Sequence, residues 1–221
     1  MARGQWPATV PAIDQLLADG LDLSRVTVLV GENGSGKSTM VEAVAMACGM
    51  NPEGGSSYAR HRTRDTESDL WKSLSVQRSA GATRWGYFLR AETMHSFFSY
   101  LEDNPSPYGD SDFHRMSHGE SFVEVLKTRF NSNGLYILDE PESALSFSAC
   151  LALVSIVNQH VEQGNSQFVI STHSPIIASI PSATILELGD WGFHERDYDD
   201  LALVHQWSTF MRDRRQFLSE E

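Results

Sequence analysis

Residues 31–39 read Gly-Glu-Asn-Gly-Ser-Gly-Lys-Ser-Thr. Within them, Gly31, four intervening residues, Gly36, Lys37 and Ser38 have the types and spacing of a loop that folds around phosphate. Glycines let successive backbone N–H groups point inward at an anion. The lysine reaches the outer phosphates, and the serine hydroxyl is a ligand for Mg²⁺. A second stretch, Leu-Tyr-Ile-Leu-Asp-Glu at 135–140, ends an apolar run in two acids. Asp139 there suits a Mg²⁺ contact. Glu140 suits a base that polarises an attacking water. The bland readings are a flexible linker for the first stretch and two solvated acids for the second. Three further short stretches surround this pair: Ser117-His118-Gly119-Glu120, Pro141-Glu142-Ser143-Ala144-Leu145-Ser146, and Ser171-Thr172-His173-Ser174.

The elements that must hold these residues follow from hydrophobic pattern. Residues 26–30 (VTVLV) are continuous and β-branched, as in a strand buried on both faces. Apolar residues at 40, 41, 44, 45 and 48 form a helical stripe that ends at Gly49. Strand, glycine loop and helix in that order give the phosphate reading its required context and leave the linker reading little room. Further strands are expected at 85–90, 135–140, 167–172 and 184–188, and helices at 91–103, 121–130, 144–161 and 201–218. Residues 51–69 read as an exposed loop with a small basic cluster, Arg60, His61, Arg62 and Arg64. Alternating buried strands and helices indicate an α/β fold around a mainly parallel sheet. The 221 residues are expected to form one domain, 1–221, with a short helical lobe over about 92–130.

Composition narrows the function classes. A formal net charge of −12 opposes a broad nucleic-acid or anionic-membrane surface, so nucleic acid is an unfavoured partner. Cys48 and Cys150 have no second Cys or His at metal-ligand spacing and read as buried reduced thiols. No apolar run approaches the roughly 18 residues that span a bilayer. The N-terminal stretch lacks the apolar core of a signal peptide, so the cytoplasm is the expected compartment.

The five motifs in this order resemble the ATP-binding cassette (ABC) superfamily. The stretches VGENGSGKST, NPEGGS, FLRAE, SHGESF, GLYILDEPESALS and STHSPI are similar to those of small stand-alone bacterial predicted ATPases of the AAA-family, RecF/SMC-like kind. The resemblance implies a P-loop fold in which Asn33, Gly34, Ser35, Gly36, Lys37, Ser38 and Thr39 cradle the phosphates of ATP. Ser38 and Asp139 then organise Mg²⁺, Glu140 activates water, and His173 is the switch histidine, linked to a D-loop around Ser143–Ser146. The resemblance further implies a homodimer closed head to tail over two ATP molecules. Ser117, Gly119 and Glu120 of the signature motif then reach the nucleotide of the opposite protomer. The sequence departs from the pattern where His118 replaces the first glycine of the signature. Glu92 stands nearest to the usual Q-loop glutamine, as a Mg²⁺ or water contact or as a helix-start acid. No adenine-stacking aromatic is evident, and Trp6 reads equally well as a core anchor.

The expected function is therefore Mg²⁺-dependent ATP binding and hydrolysis coupled to an unidentified partner process. Four other readings compete. A RecF-like DNA-repair ATPase needs a basic stripe, for which only Arg60–Arg64 speaks. The energising subunit of a membrane transporter needs a larger helical lobe. A small-molecule kinase has no use for SHGE or PESALS. A non-hydrolysing nucleotide switch has no use for Glu140 or His173. The C-terminal aromatics Trp191, Trp207 and Phe210 read as core packing more readily than as a docking surface.

Overall fold

Val26, Val28 and Val30 join one hydrophobic cluster, and Leu29 joins another. That alternation places strand β1 (Val26–Gly31) in the middle of a sheet covered on both faces. The computed structural model describes residues 4–52, 54–56, 68–90, 133–164 and 166–218.

The sheet has seven strands in the order β2-β3-β4-β5-β1-β6-β7. They are β2 (Gly55–Ser56), β3 (Gly86–Arg90), β4 (Leu135–Asp139), β5 (Gln167–Thr172), β6 (Thr184–Gly189) and β7 (Gly192–Glu195). β3, β4, β5, β1 and β6 run parallel. The short β2 and β7 close the two sides antiparallel. This is the mainly parallel α/β sheet that the alternating strands and helices led one to expect.

One face is covered by α1 (Pro11–Asp19) and α2 (Lys37–Ala47). Their Ile13, Leu16, Met40 and Val41 pack on Leu29, Phe88, Ile137 and Val169. The other face is covered by α3 (Phe147–Gln163), whose Ala149, Leu153 and Val157 form a stripe with a spacing of four. That stripe meets Tyr136 and Phe168, whose rings stack at 5.1 Å. Complete burial of such side chains contributes about 1.5–3 kcal/mol each. The short helix α4 (Pro175–Ala178) follows β5.

Four expectations need correction. The helix expected from 144 begins at Phe147, because Pro141–Ala144 form a 3₁₀ turn and the Ser146 side chain caps the helix by accepting from the Ala149 N–H. The helix expected over 201–218 is two pieces, α5 (Ala202–Arg212) and α6 (Arg215–Leu218), interrupted where Asp213 leaves helical geometry. α1 was not anticipated, although Pro11 at its start and Gly20 after its end are ordinary boundary signals. β7 was read as acidic loop; only its Gly192 and Phe193 are buried. The expected helices at 91–103 and 121–130, and the helical lobe, lie outside the described residues.

Candidate functional site

Parallel strands bring their C-terminal ends to one edge of the sheet. There the register aligns Arg90 with Asp139, Asp139 with Ser171, and Ser171 with Leu29. One step further, Val30 aligns with Thr172, and Gly31 opens the glycine loop. Residues from 31, 90, 139–142 and 171–173 thus meet along the edge where α/β sheets bind ligands.

The loop is set by its glycines. A Cβ on Gly31 would lie 2.5 Å from the Leu188 carbonyl oxygen and 2.9 Å from Ser35 Oγ. Gly36, with φ 99°, starts α2 in the left-handed region, and a Cβ there would meet Val10 Cγ1 at 2.9 Å. The α2 N-terminus therefore opens directly onto the loop, and its first N–H groups have no partner within the helix. Ser35 Oγ is buried without a hydrogen-bond partner among the described residues. Lys37 is buried, and its Nζ donates to the carbonyl oxygens of Gly31 at 2.8 Å and Glu32 at 3.0 Å. Burial pushes the Lys37 amine below its ordinary pKa, opposed by the nearby carboxylates of Glu140, Asp139, Glu142 and Glu32.

The acidic side is held by side chains that cross between strands. Asp139 is buried, and its Oδ1 accepts from Ser171 Oγ at 2.5 Å. Its Oδ2 lies 3.5 Å from Arg90 Nε, and Arg90 also pairs with Glu42 on α2 at 2.7 Å. Glu140 has φ 47° and ψ 52°, and among the described residues no other non-glycine has positive φ. Such a backbone costs about 1–3 kcal/mol and persists where the surroundings fix it. Here the Glu140 N–H donates to the Ser171 carbonyl at 3.1 Å and lies 3.2 Å from Ser171 Oγ. The Glu140 carbonyl in turn accepts from the Ser143 N–H at 3.0 Å. This backbone turn carries the Glu140 carboxylate to within 3.3 Å of His173 Nε2. That contact is not aligned as a hydrogen bond, and among the described residues His173 Nε2 has no hydrogen-bond partner. Both side chains remain about one-third exposed, His173 at 32% and Glu140 at 33%. Glu142 accepts from the His173 backbone N–H through Oε1. Burial pushes the Glu142 carboxyl above its usual pKa, while the His173 N–H and the Thr172 hydroxyl pull it back.

The donor set fits a magnesium ion carried by a nucleotide better than a resident metal cage. Among the described residues no group of three His, Cys, Asp or Glu could hold a metal. Mg²⁺ bound with phosphates typically uses one or two carboxylates and keeps waters. Ser38, in the first turn of α2, and Asp139, at the end of β4, supply one hydroxyl and one carboxylate.

Among the expected residues, Gly36, Lys37, Ser38, Asp139, Glu140 and His173 stand on this edge, and Thr39 follows in α2. Asn33 and Gly34 lie on the exposed outside of the loop. Glu92, Ser117, His118, Gly119, Glu120 and the Arg60–Arg64 cluster lie outside the described residues. Arg90, Glu42, Ser171 and Glu142 were missed. An arginine closing an otherwise apolar strand, and polar Ser171 ending another, were the available signals. Trp6 is 64% exposed, which removes its reading as a core anchor. Trp191, Trp207 and Phe210 are also exposed, contrary to the expected core packing. Only the start of α5, at Leu203 and Val204, packs on the core. Both cysteines are free thiols, Cys150 buried and Cys48 partly so. Among the described residues no helix is long and apolar enough to cross a membrane.

Residues 20–84 match the family model described as an AAA domain. The xylose import ATP-binding protein XylG of Yersinia pseudotuberculosis serotype I (strain IP32953) is 26% identical over 191 residues, covering 73% of this chain and 36% of that protein. The ribose import ATP-binding protein RbsA of Roseobacter denitrificans (strain ATCC 33942 / OCh 114) is 27% identical over 185 residues, with the same two coverages of 73% and 36%. The chain thus spans 36% of the length of these curated relatives. Among solved structures, the SMC head domain from Thermotoga maritima is 15% identical with a TM-score of 0.46, covering 80% of this chain and 92% of that one.

Proposed function

We propose that this chain is a P-loop ATPase of the ABC type that binds Mg²⁺-ATP at the C-terminal edge of its sheet and hydrolyses it between two head-to-tail protomers. The observation that carries the reading is the alignment of Arg90, Asp139 and Ser171 beside a glycine loop whose lysine is buried. In this reading residues 1–221 are one cassette domain. Asn33, Gly34, Ser35, Gly36, Lys37, Ser38 and Thr39 receive the triphosphate. Lys37 exchanges the Gly31 and Glu32 carbonyls for phosphate oxygens, a gain for a desolvated amine. Ser38 and Asp139 hold Mg²⁺, with Glu92 as a further contact. The ion supplies charge compensation for the phosphates.

Glu140 takes the proton of the attacking water as its oxygen bonds the γ-phosphorus and ADP leaves. Its 3.3 Å approach to His173 puts an imidazole where it can orient that water or contact the γ-phosphate. Ser117, Gly119 and Glu120 of the opposite protomer complete the site. ATP then holds the dimer together and hydrolysis releases it. The work driven by this cycle belongs to an unidentified partner in the cytoplasm, with nucleic acid disfavoured by the net charge of −12. The names of XylG and RbsA favour a second reading, an ATP-binding subunit that energises import.

Light scattering on the Glu140→Gln variant tests the proposal. With Mg²⁺-ATP the variant should change from monomer to dimer, and without nucleotide it should stay monomeric. A monomer with ATP bound would contradict the shared site.

A further inference from the structure

The two acids of β4 and the histidine after β5 are tied together in both directions. From β5, the Ser171 hydroxyl reaches to Asp139 Oδ1 at 2.5 Å and to the Glu140 N–H at 3.2 Å. From the turn after β4, the Glu142 carboxylate reaches back and accepts the His173 N–H. Beside it, Thr172 Oγ1 accepts from the Ser174 N–H at 2.9 Å.

The His173 N–H lies beyond the last register pair of β5 with β1, at Thr172, so the parallel ladder no longer serves it. An amide left unpaired there, away from water, would be destabilising. Glutamate at 142 removes that cost and does something a backbone partner would not. It ties the histidine backbone to the same turn that begins with Glu140. Pro141 and the bond from the Ser143 N–H to the Glu140 carbonyl keep that turn short and stiff.

We propose that Glu142 is a positioning residue: by holding the backbone of His173 to the Pro141–Ala144 turn, it sets the distance between the His173 imidazole and the Glu140 carboxylate. The assignment rests on the hydrolytic reading above for its consequence, but not for its geometry. Among the described residues Glu142 makes no hydrogen bond to Asp139 or the glycine loop and acts on Lys37 only through its field, so its loss should change ATP affinity far less than turnover. Turnover should fall, because a displacement of about 1 Å at a reacting group costs up to about 100-fold in rate.

The experiment compares Glu142→Ala and Glu142→Gln in the full chain with two readouts. The first is the resonance of the His173 backbone amide. It should be shifted downfield by the bond to Glu142, stay so in the glutamine variant, and move upfield in the alanine variant with the rest of the spectrum intact. The second is ATP turnover against ATP affinity. Alanine should lower kcat about 10- to 100-fold with affinity within about 2-fold, and glutamine should restore most of the rate. If alanine prevents folding, Glu142→Asp, one methylene short of the amide, takes its place with the same expected losses. An unmoved amide or an unchanged kcat in the alanine variant overturns the assignment. So does an equal loss in both variants, which would make the charge rather than the acceptor matter. Should the wild-type chain show no turnover while the amide behaves as expected, the hydrolytic reading fails and the positioning geometry stands.

Discussion

The glycine loop and the acidic edge adjoin one another but are built from different materials. The loop is backbone. Its shape comes from Gly31 and Gly36, where no Cβ fits, and its lysine bonds the loop's own carbonyls at 2.8 and 3.0 Å. The edge is side chains. Ser171, Arg90 and Glu142 each cross from one element to another to hold Asp139 and His173. A backbone cradle is made to bind, since its N–H groups donate hydrogen bonds but do not ionise near neutral pH. A side-chain cluster of acids and an imidazole is made to move protons. Substitutions in the two regions should therefore separate binding from turnover.

The largest effect should come from Lys37→Ala. Removing a buried ammonium that contacts charged oxygens costs about 1.5–3 kcal/mol per hydrogen bond, so Mg²⁺-ATP affinity should fall about 100-fold or more, and turnover with it. Titration calorimetry checks this; wild-type affinity would break the contrast between the regions. A smaller effect should follow from Gly36→Ala. Its φ of 99° and the 2.9 Å approach to Val10 should lower folding stability by about 1–3 kcal/mol, read by denaturant unfolding. Unchanged stability would mean that the loop yields to a side chain.

The same contrast explains what was legible in the sequence. The loop announces itself because all its parts lie within residues 31–39. The sheet was legible too, since strands buried on both faces appear as unbroken apolar runs. The crossing side chains were not. Ser171 and Asp139 are 32 positions apart, and Arg90 and Glu42 are 48 apart, so only the register of β4 with β5 and the packing of α2 on the sheet bring them together. The left-handed Glu140 was hidden for a related reason. A non-glycine residue enters that conformation only when its surroundings impose it, and local sequence does not record the surroundings. The C-terminal aromatics misled in the opposite sense. Core packing is the common outcome for such side chains, but of α5 only Leu203 and Val204 pack on the core, leaving Trp207 49% and Phe210 37% exposed.

The most direct test of the account measures ATP affinity and ATP turnover side by side in the wild type and in Glu140→Gln. Glutamine keeps the size of the side chain and removes the base. Turnover should fall by about 100-fold or more while affinity stays within a few-fold of wild type. Undiminished turnover in Glu140→Gln would contradict the assignment of the acidic edge as the hydrolytic centre.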